Sequence, residues 1–240
     1  MPEGAANPKI SGTTIKSKTI KSKTLQYTSK FAAPTRASLQ VDRAVLLAHG
    51  AGSDLNAPAL VAVSDALTAV GIPSLRFNYP YRDLGRSAPD RPNVLLEATR
   101  NAAADLSLLT NLAPERIVVG GRSMGGRYCS LAVGDAEDPI DALGLLLLGY
   151  PLHPAGKPEK LRVEHLKRIT IPTLFVSGTR DALGAQAELR KAARRVKGRV
   201  AWHWIESGDH GFKPLRSSGL APEVVLCEMA AASAVWVASL

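Results

Sequence analysis

Cysteines, acidic side chains and long apolar runs are all scarce in this chain of 240 residues. Its two cysteines, Cys129 and Cys227, lie far apart in segments of helical character. They form neither a disulfide framework nor the spacing of a metal-ligand set, which predicts a reducing compartment and no metal. The N-terminal region lacks the apolar stretch of roughly 7–15 residues that a signal peptide carries. The leucine run Leu145 to Leu148 falls far short of the roughly 20 residues that span a bilayer. A soluble, cytoplasmic protein without membrane partners is therefore expected. Proline and glycine are spread along the chain rather than pooled in a linker, so one domain with a single large core is expected.

Few acidic residues leave a formal charge of +9, which raises the question of a nucleic-acid partner. The charge is concentrated at one end. Eight basic residues within positions 1–43 face only Glu3 and Asp42 there, so +6 of the +9 lies in that segment. The body is close to neutral, and no nucleic-acid partner is expected. Residues 1–18 read as a basic disordered tail and residues 19–240 as the domain. The partial repeat from Ile15 to Leu25 suits a tail running into an edge strand with lysines outward.

From residue 44 strand and helix patterns alternate, which predicts an α/β fold with a mainly parallel central sheet flanked by helices. Strands are expected at Ala44–Ala48, Ser74–Phe77, Ile117–Val119, Ala142–Leu148, Thr173–Val176 and near 199–205. Helices are expected near 58–70, 93–111, 127–133, 184–196 and 221–238. In such a fold the loops after the strands gather at one edge of the sheet, where ligands bind.

One of those loops carries Gly121-Arg122-Ser123-Met124-Gly125-Gly126 between an apolar strand and a helix. Strand, G-x-S-x-G and helix together read as a nucleophile elbow, whose strained serine needs neighbours almost free of side chain. Ser123 is then a nucleophile awaiting a base, and Met124 N–H an oxyanion donor. In this arrangement an acid and then a histidine follow in the chain. Asp181 follows the strand at Thr173, and His210 follows the last strand, within Gly208-Asp209-His210-Gly211-Phe212. The neighbouring Asp209 reads instead as a turn former that bonds local backbone. The second oxyanion donor is assigned to Ala51 in His49-Gly50-Ala51-Gly52, with Gly52 as the alternative. His203 reads as a residue lining a strand face, and His49 as a backbone-bonding residue.

Together the elbow, the His49–Gly52 turn, Gly178-Thr179-Arg180-Asp181 and Asp209–Phe212 resemble the α/β-hydrolase superfamily, nearest its dienelactone-hydrolase-like branch. Phe77-Asn78-Tyr79-Pro80 and the stretch from Gly149 to Pro158 further resemble a subfamily of predicted bacterial hydrolases. That subfamily is related to the hydrolase-like domain of a nuclear acetyltransferase-complex subunit. The resemblance covers about residues 40–240. It implies an α/β-hydrolase fold with a small or absent cap, Ser123 as nucleophile, Asp181 as acid and His210 as base. Dienelactone hydrolases proper carry cysteine where this chain has Ser123, so their substrate does not transfer.

The expected chemistry is cleavage of an ester, thioester or lactone of a small acyl substrate, with no cofactor. The rival is a hydrolase-shaped interaction module with little catalysis. Candidate substrate contacts are Gly52, Tyr81, Arg82, Arg86 and His153. The two arginines suit a carboxylate or phosphate, or else pair with local acids such as Asp83. Residues 150–170 read either as a short lid or as a surface crossover.

Overall fold

The computed structural model describes residues 27–34 and 42–240, together with the backbone of Lys16–Lys21. In chain order the strands are β1 (Lys16–Lys21), β2 (Thr28–Ala33), β3 (Ala44–Ala48), β4 (Ser74–Phe77), β5 (Ile117–Arg122), β6 (Gly144–Leu148), β7 (Thr173–Gly178) and β8 (Val200–Ile205). The helices are α1 (Pro58–Ala69), α2 (Pro80–Asp83), α3 (Pro92–Thr110), α4 (Met124–Val133), α5 (Gln186–Ala193) and α6 (Pro222–Ala238). All eight strands join one sheet in the order β1-β2-β4-β3-β5-β6-β7-β8. β3 to β8 are parallel, while β2 runs antiparallel to both of its neighbours.

The period of two along each strand divides the core. Leu46, Val119, Leu145, Leu147 and Phe175 point to the face covered by α3, α4 and α5. Val45, Leu47, Val118, Leu146 and Leu148 point to the opposite face, under α1 and α6. Both faces being apolar, the central strands read as continuous hydrophobic runs, as strands buried on two sides must. Local chemistry sets the helix limits. Proline opens α1, α3 and α6, where its missing N–H costs no hydrogen bond, and Asn111 in the left-handed region (φ 55°) ends α3.

The elements expected from periodicity are present, with shifts at their ends. β6 begins at Gly144 rather than Ala142, and α5 occupies 186–193 rather than 184–196. α4 starts at Met124, immediately after Ser123, three residues earlier than the sequence pattern suggested. Two elements were not anticipated. β2, TSKFAA, lacks a clean alternation, and its strand state follows from pairing with β1 and β4. The short α2 starts at Pro80 within what read as loop. β1 begins at Lys16, so the expected boundary between tail and domain at residue 19 falls inside a strand; residues 1–15 lie outside the described residues.

Between β6 and β7 no helical cap is inserted, only a short 3-10 turn at Glu164–Arg168. Val163, Leu166 and Ile169 of this connection are buried in the core, and residues 155–161 are exposed. The segment is thus an anchored crossover. At the other edge the chain runs from β3 out to β4, then returns past β3 to β5. The reversal sits between the C-terminal ends of β3 and β5, where open α/β sheets place their ligand crevice.

Candidate active site

At the C-terminal end of β5 the chain turns sharply into α4, with Ser123 at φ 50° and ψ −113°. A non-glycine residue in that region is strained and is held only by its surroundings. Here the Ser123 N–H donates to Leu148 O at 2.9 Å, which ties the turn to β6. The flanking glycines are required sterically. A Cβ on Gly121 would lie 2.1 Å from Ala48 O, and one on Gly125 2.2 Å from the same oxygen. The turn therefore packs directly against the end of β3.

His210 comes from the loop after β8, and its Nε2 lies 2.8 Å from Ser123 Oγ. Its Nδ1 lies 2.9 Å from Asp181 Oδ2 and 3.0 Å from Oδ1. An ionised carboxylate only accepts hydrogen bonds, so Nδ1–H donates to Asp181 and Nε2 is free to accept the Ser123 hydroxyl proton. Asp181 follows β7, with its side chain 0 % exposed against 22 % for His210. Leu183 N–H donates to Asp181 Oδ1 at 2.8 Å, and Ser177 Oγ–H reaches Oδ2 at 3.5 Å. Gly149 makes room for the histidine loop, since a Cβ there would lie 3.2 Å from His210 O. Three strand-end loops far apart in sequence thus converge on one hydrogen-bonded chain.

The loop after β3 faces this chain. A Cβ on Gly50 would sit 3.6 Å from Ser123 Cβ, so the loop runs next to the elbow. Gly52 takes φ +72°, which glycine adopts without strain. Neither the Ala51 nor the Met124 N–H donates to a described acceptor. Met124 is also the first residue of α4, where the helix dipole favours negative charge.

His49 follows β3 directly and is fully buried, with Nδ1–H donating to Gly50 O at 2.8 Å and Nε2 accepting from Tyr79 N–H at 3.0 Å. Burial lowers its pKa, and with both nitrogens committed it serves as a brace between the ends of β3 and β4. His203 on β8 pairs with Glu228 at 3.0 Å on the exposed side. Asp209 Oδ1 accepts from Gly211 and Lys213 N–H at 2.7 and 2.9 Å, which makes it a turn former.

The candidate substrate contacts divide. Tyr81 is fully buried against His49, and no hydrogen bond of good geometry reaches its hydroxyl. Desolvation raises its pKa against the opposing influence of Arg82 and the Gly52 amide. Arg86 pairs at 2.5 Å with Asp90, not with Asp83, whose carboxylate accepts from Asn78. Arg82 donates to Arg86 O at 3.3 Å and makes no ion pair with a described residue. His153 is buried and donates Nδ1–H to Pro154 O at 2.9 Å.

One residue was passed over in the sequence reading although it stands inside the motif. The Arg122 guanidinium lies between the two glycine loops, Nη1 3.1 Å from the position a Gly50 Cβ would take and Nη2 3.6 Å from that of Gly211. Among the described residues the guanidinium makes one hydrogen bond, from Nη2 to His210 O at 3.4 Å. Burial lowers its pKa, and attraction to Asp181 and Asp209 opposes the shift. Among the described residues no cluster of three His, Cys, Asp or Glu side chains could hold a metal.

Residues 41–238 match the family model described as alpha/beta hydrolase domain, and the chain belongs to that family. Similar solved structures include a dienelactone hydrolase from Anabaena variabilis ATCC 29413, with TM-score 0.69, 18% identity and coverage of 95% of this chain and 98% of that one. Est1E from Butyrivibrio proteoclasticus has TM-score 0.69 at 16% identity, covering 93% and 99%. XC6422 from Xanthomonas campestris, described as an a/b serine hydrolase without lid, has TM-score 0.67 at 13% identity, covering 97% of each chain. At such identities the likeness concerns the fold, which is the α/β-hydrolase fold.

Proposed function

We propose that this hydrolase-family protein is a serine hydrolase acting on carboxylic esters, thioesters or lactones. The observation that carries the reading is the continuous hydrogen-bonded chain Ser123–His210–Asp181, with links of 2.8 and 2.9 Å. In this mechanism Ser123 Oγ attacks the substrate carbonyl carbon as His210 Nε2 takes the hydroxyl proton. The tetrahedral oxyanion is held by the Ala51 and Met124 N–H groups. Collapse breaks the bond to the leaving group, which receives the proton from His210. A water then attacks the acyl-serine, His210 again acting as base, and the acid is released. Asp181 keeps Nδ1 protonated throughout and stabilises the imidazolium.

Solved neighbours support an acyl substrate: one is a dienelactone hydrolase, and another, Est1E, is described with ferulic acid bound. The direct test is turnover of 4-nitrophenyl acetate by the wild type and by Ser123→Ala. The reading expects hydrolysis that falls to the uncatalysed rate in the variant. A folded wild type with no turnover, or a variant that keeps it, would favour the interaction-module reading.

A further inference from the structure

A cavity of about 390 Å³ opens beside the histidine loop. Its walls come from Ser53 after β3, Ala59 in the first turn of α1, Arg122, Phe212, Lys213 and Pro222 at the start of α6. Most of the lining is apolar, and neither of its cations forms an ion pair with a described residue. Among the described residues the Arg122 guanidinium makes only the 3.4 Å bond to a carbonyl, and Lys213 forms no ion pair. The two carboxylates that attract Arg122 are occupied, Asp181 with His210 and Asp209 with backbone N–H groups of its own loop. α1 begins at this cavity with neither a side-chain cap nor an acidic residue in its first turn, so the positive end of its dipole adds to the field, while α6 begins here with Glu223 in its first turn. A second cavity of about 390 Å³, lined by Leu108, Ile117 and Asp141, lies at the opposite edge of the sheet, where β5 begins.

We propose that the cavity between Arg122, Lys213 and the first turns of α1 and α6 is a subsite for a carboxylate carried on the apolar leaving group of the substrate. The assignment rests on the serine-hydrolase reading above, and it adds the substrate class. His210 must protonate the departing oxygen, so the leaving group lies on the histidine side of Ser123. The residues that follow His210 in the chain, Gly211, Phe212 and Lys213, form one wall of the cavity, and Arg122, the neighbour of Ser123, forms another. An apolar body packs against Phe212 and the prolines while its charged end meets the guanidinium, whose planar donors match a carboxylate. A monoanion fits better than a phosphate dianion, because Asp181 and Asp209 already offset part of the Arg122 charge.

Calorimetric binding of 4-hydroxybenzoate and of its methyl ester tests the subsite without requiring turnover, so failure of catalysis and failure of the subsite are separate results. The acid should bind roughly tenfold or more tightly than the ester, a preference that raised salt weakens. Lys213→Gln, at an exposed position, and Arg122→Gln should each reduce that ratio toward one. Equal binding of acid and ester, or an acid preference unchanged in a folded Lys213→Gln, would overturn the proposal. So would tighter binding of 4-hydroxyphenyl phosphate than of 4-hydroxybenzoate.

Discussion

Two aspartates compete for one imidazole in the sequence, and their side chains end in different places. Asp209 is spent on the amides of its own turn, while Asp181 sits buried under His210. Asp181→Asn should therefore keep the fold but reduce kcat on a small aryl ester by on the order of 10⁴, because the imidazole loses its tautomer lock. Asp209→Asn should change kcat by less than about tenfold; the reverse order in steady-state kinetics, with both variants folded by circular dichroism, would move the acid role to Asp209. His165 offers a pH test. It is buried with Nε2 2.8 Å from Ser130 Oγ, and burial, helped by Arg127 and Arg168, pushes its pKa down to about 4. The unfolded chain, with an ordinary histidine, takes up this proton at higher pH than the folded one. Stability is then lost as pH falls from about 6.5 towards 4, by at most about 3 kcal/mol from this residue. Denaturation curves across that range should fall less steeply for His165→Gln than for wild type. That Ser123, Asp181 and His210 come together was legible because each residue type follows a readable strand in the order the motif requires. Arg122 was not, since the motif leaves its position unspecified and only the fold shows two glycine loops closing on it.

At the scale of elements, glycine separates packing from backbone conformation. A Cβ on Gly125 would meet Ala48 O at 2.2 Å, backbone against backbone, with no flexible atom to yield. Gly125→Ala should cost about 3 kcal/mol or more in urea unfolding and abolish turnover. Gly52 has nothing within 4 Å of its would-be Cβ, only φ +72°, so Gly52→Ala should cost about 1 kcal/mol. Equal costs for the two would contradict the view that the elbow is wedged against β3. β1 supplies a second element test. Removing residues 1–21 deletes a strand paired with β2 from Lys16↔Ala33 to Lys21↔Thr28. Tm should drop by roughly 3–8 °C while the proposed ester turnover survives, because Ser123, Asp181 and His210 follow β5, β7 and β8. The buried parallel strands were readable as apolar runs bounded by glycine and proline. β2 and α2 were not, because pairing rather than local preference makes β2 a strand, and α2 is a single turn started by Pro80.

The whole molecule explains why residues 123, 181 and 210 meet. Parallel strands place their C-terminal ends on one edge, and the reversal between β3 and β5 opens a crevice there. The anchored crossover between β6 and β7 leaves that edge without a helical cap. No helix among the described residues is long and apolar enough to cross a membrane. The central claim is that this architecture makes Ser123 a working nucleophile. Labelling with a fluorophosphonate, followed by mass spectrometry of the modified peptide, tests it most directly, since phosphonylation needs both an activated hydroxyl and oxyanion donors. The account predicts one adduct, on Ser123, that is absent in Ser123→Ala and in His210→Ala. A folded wild type that takes no label, or one labelled at another residue, would contradict it.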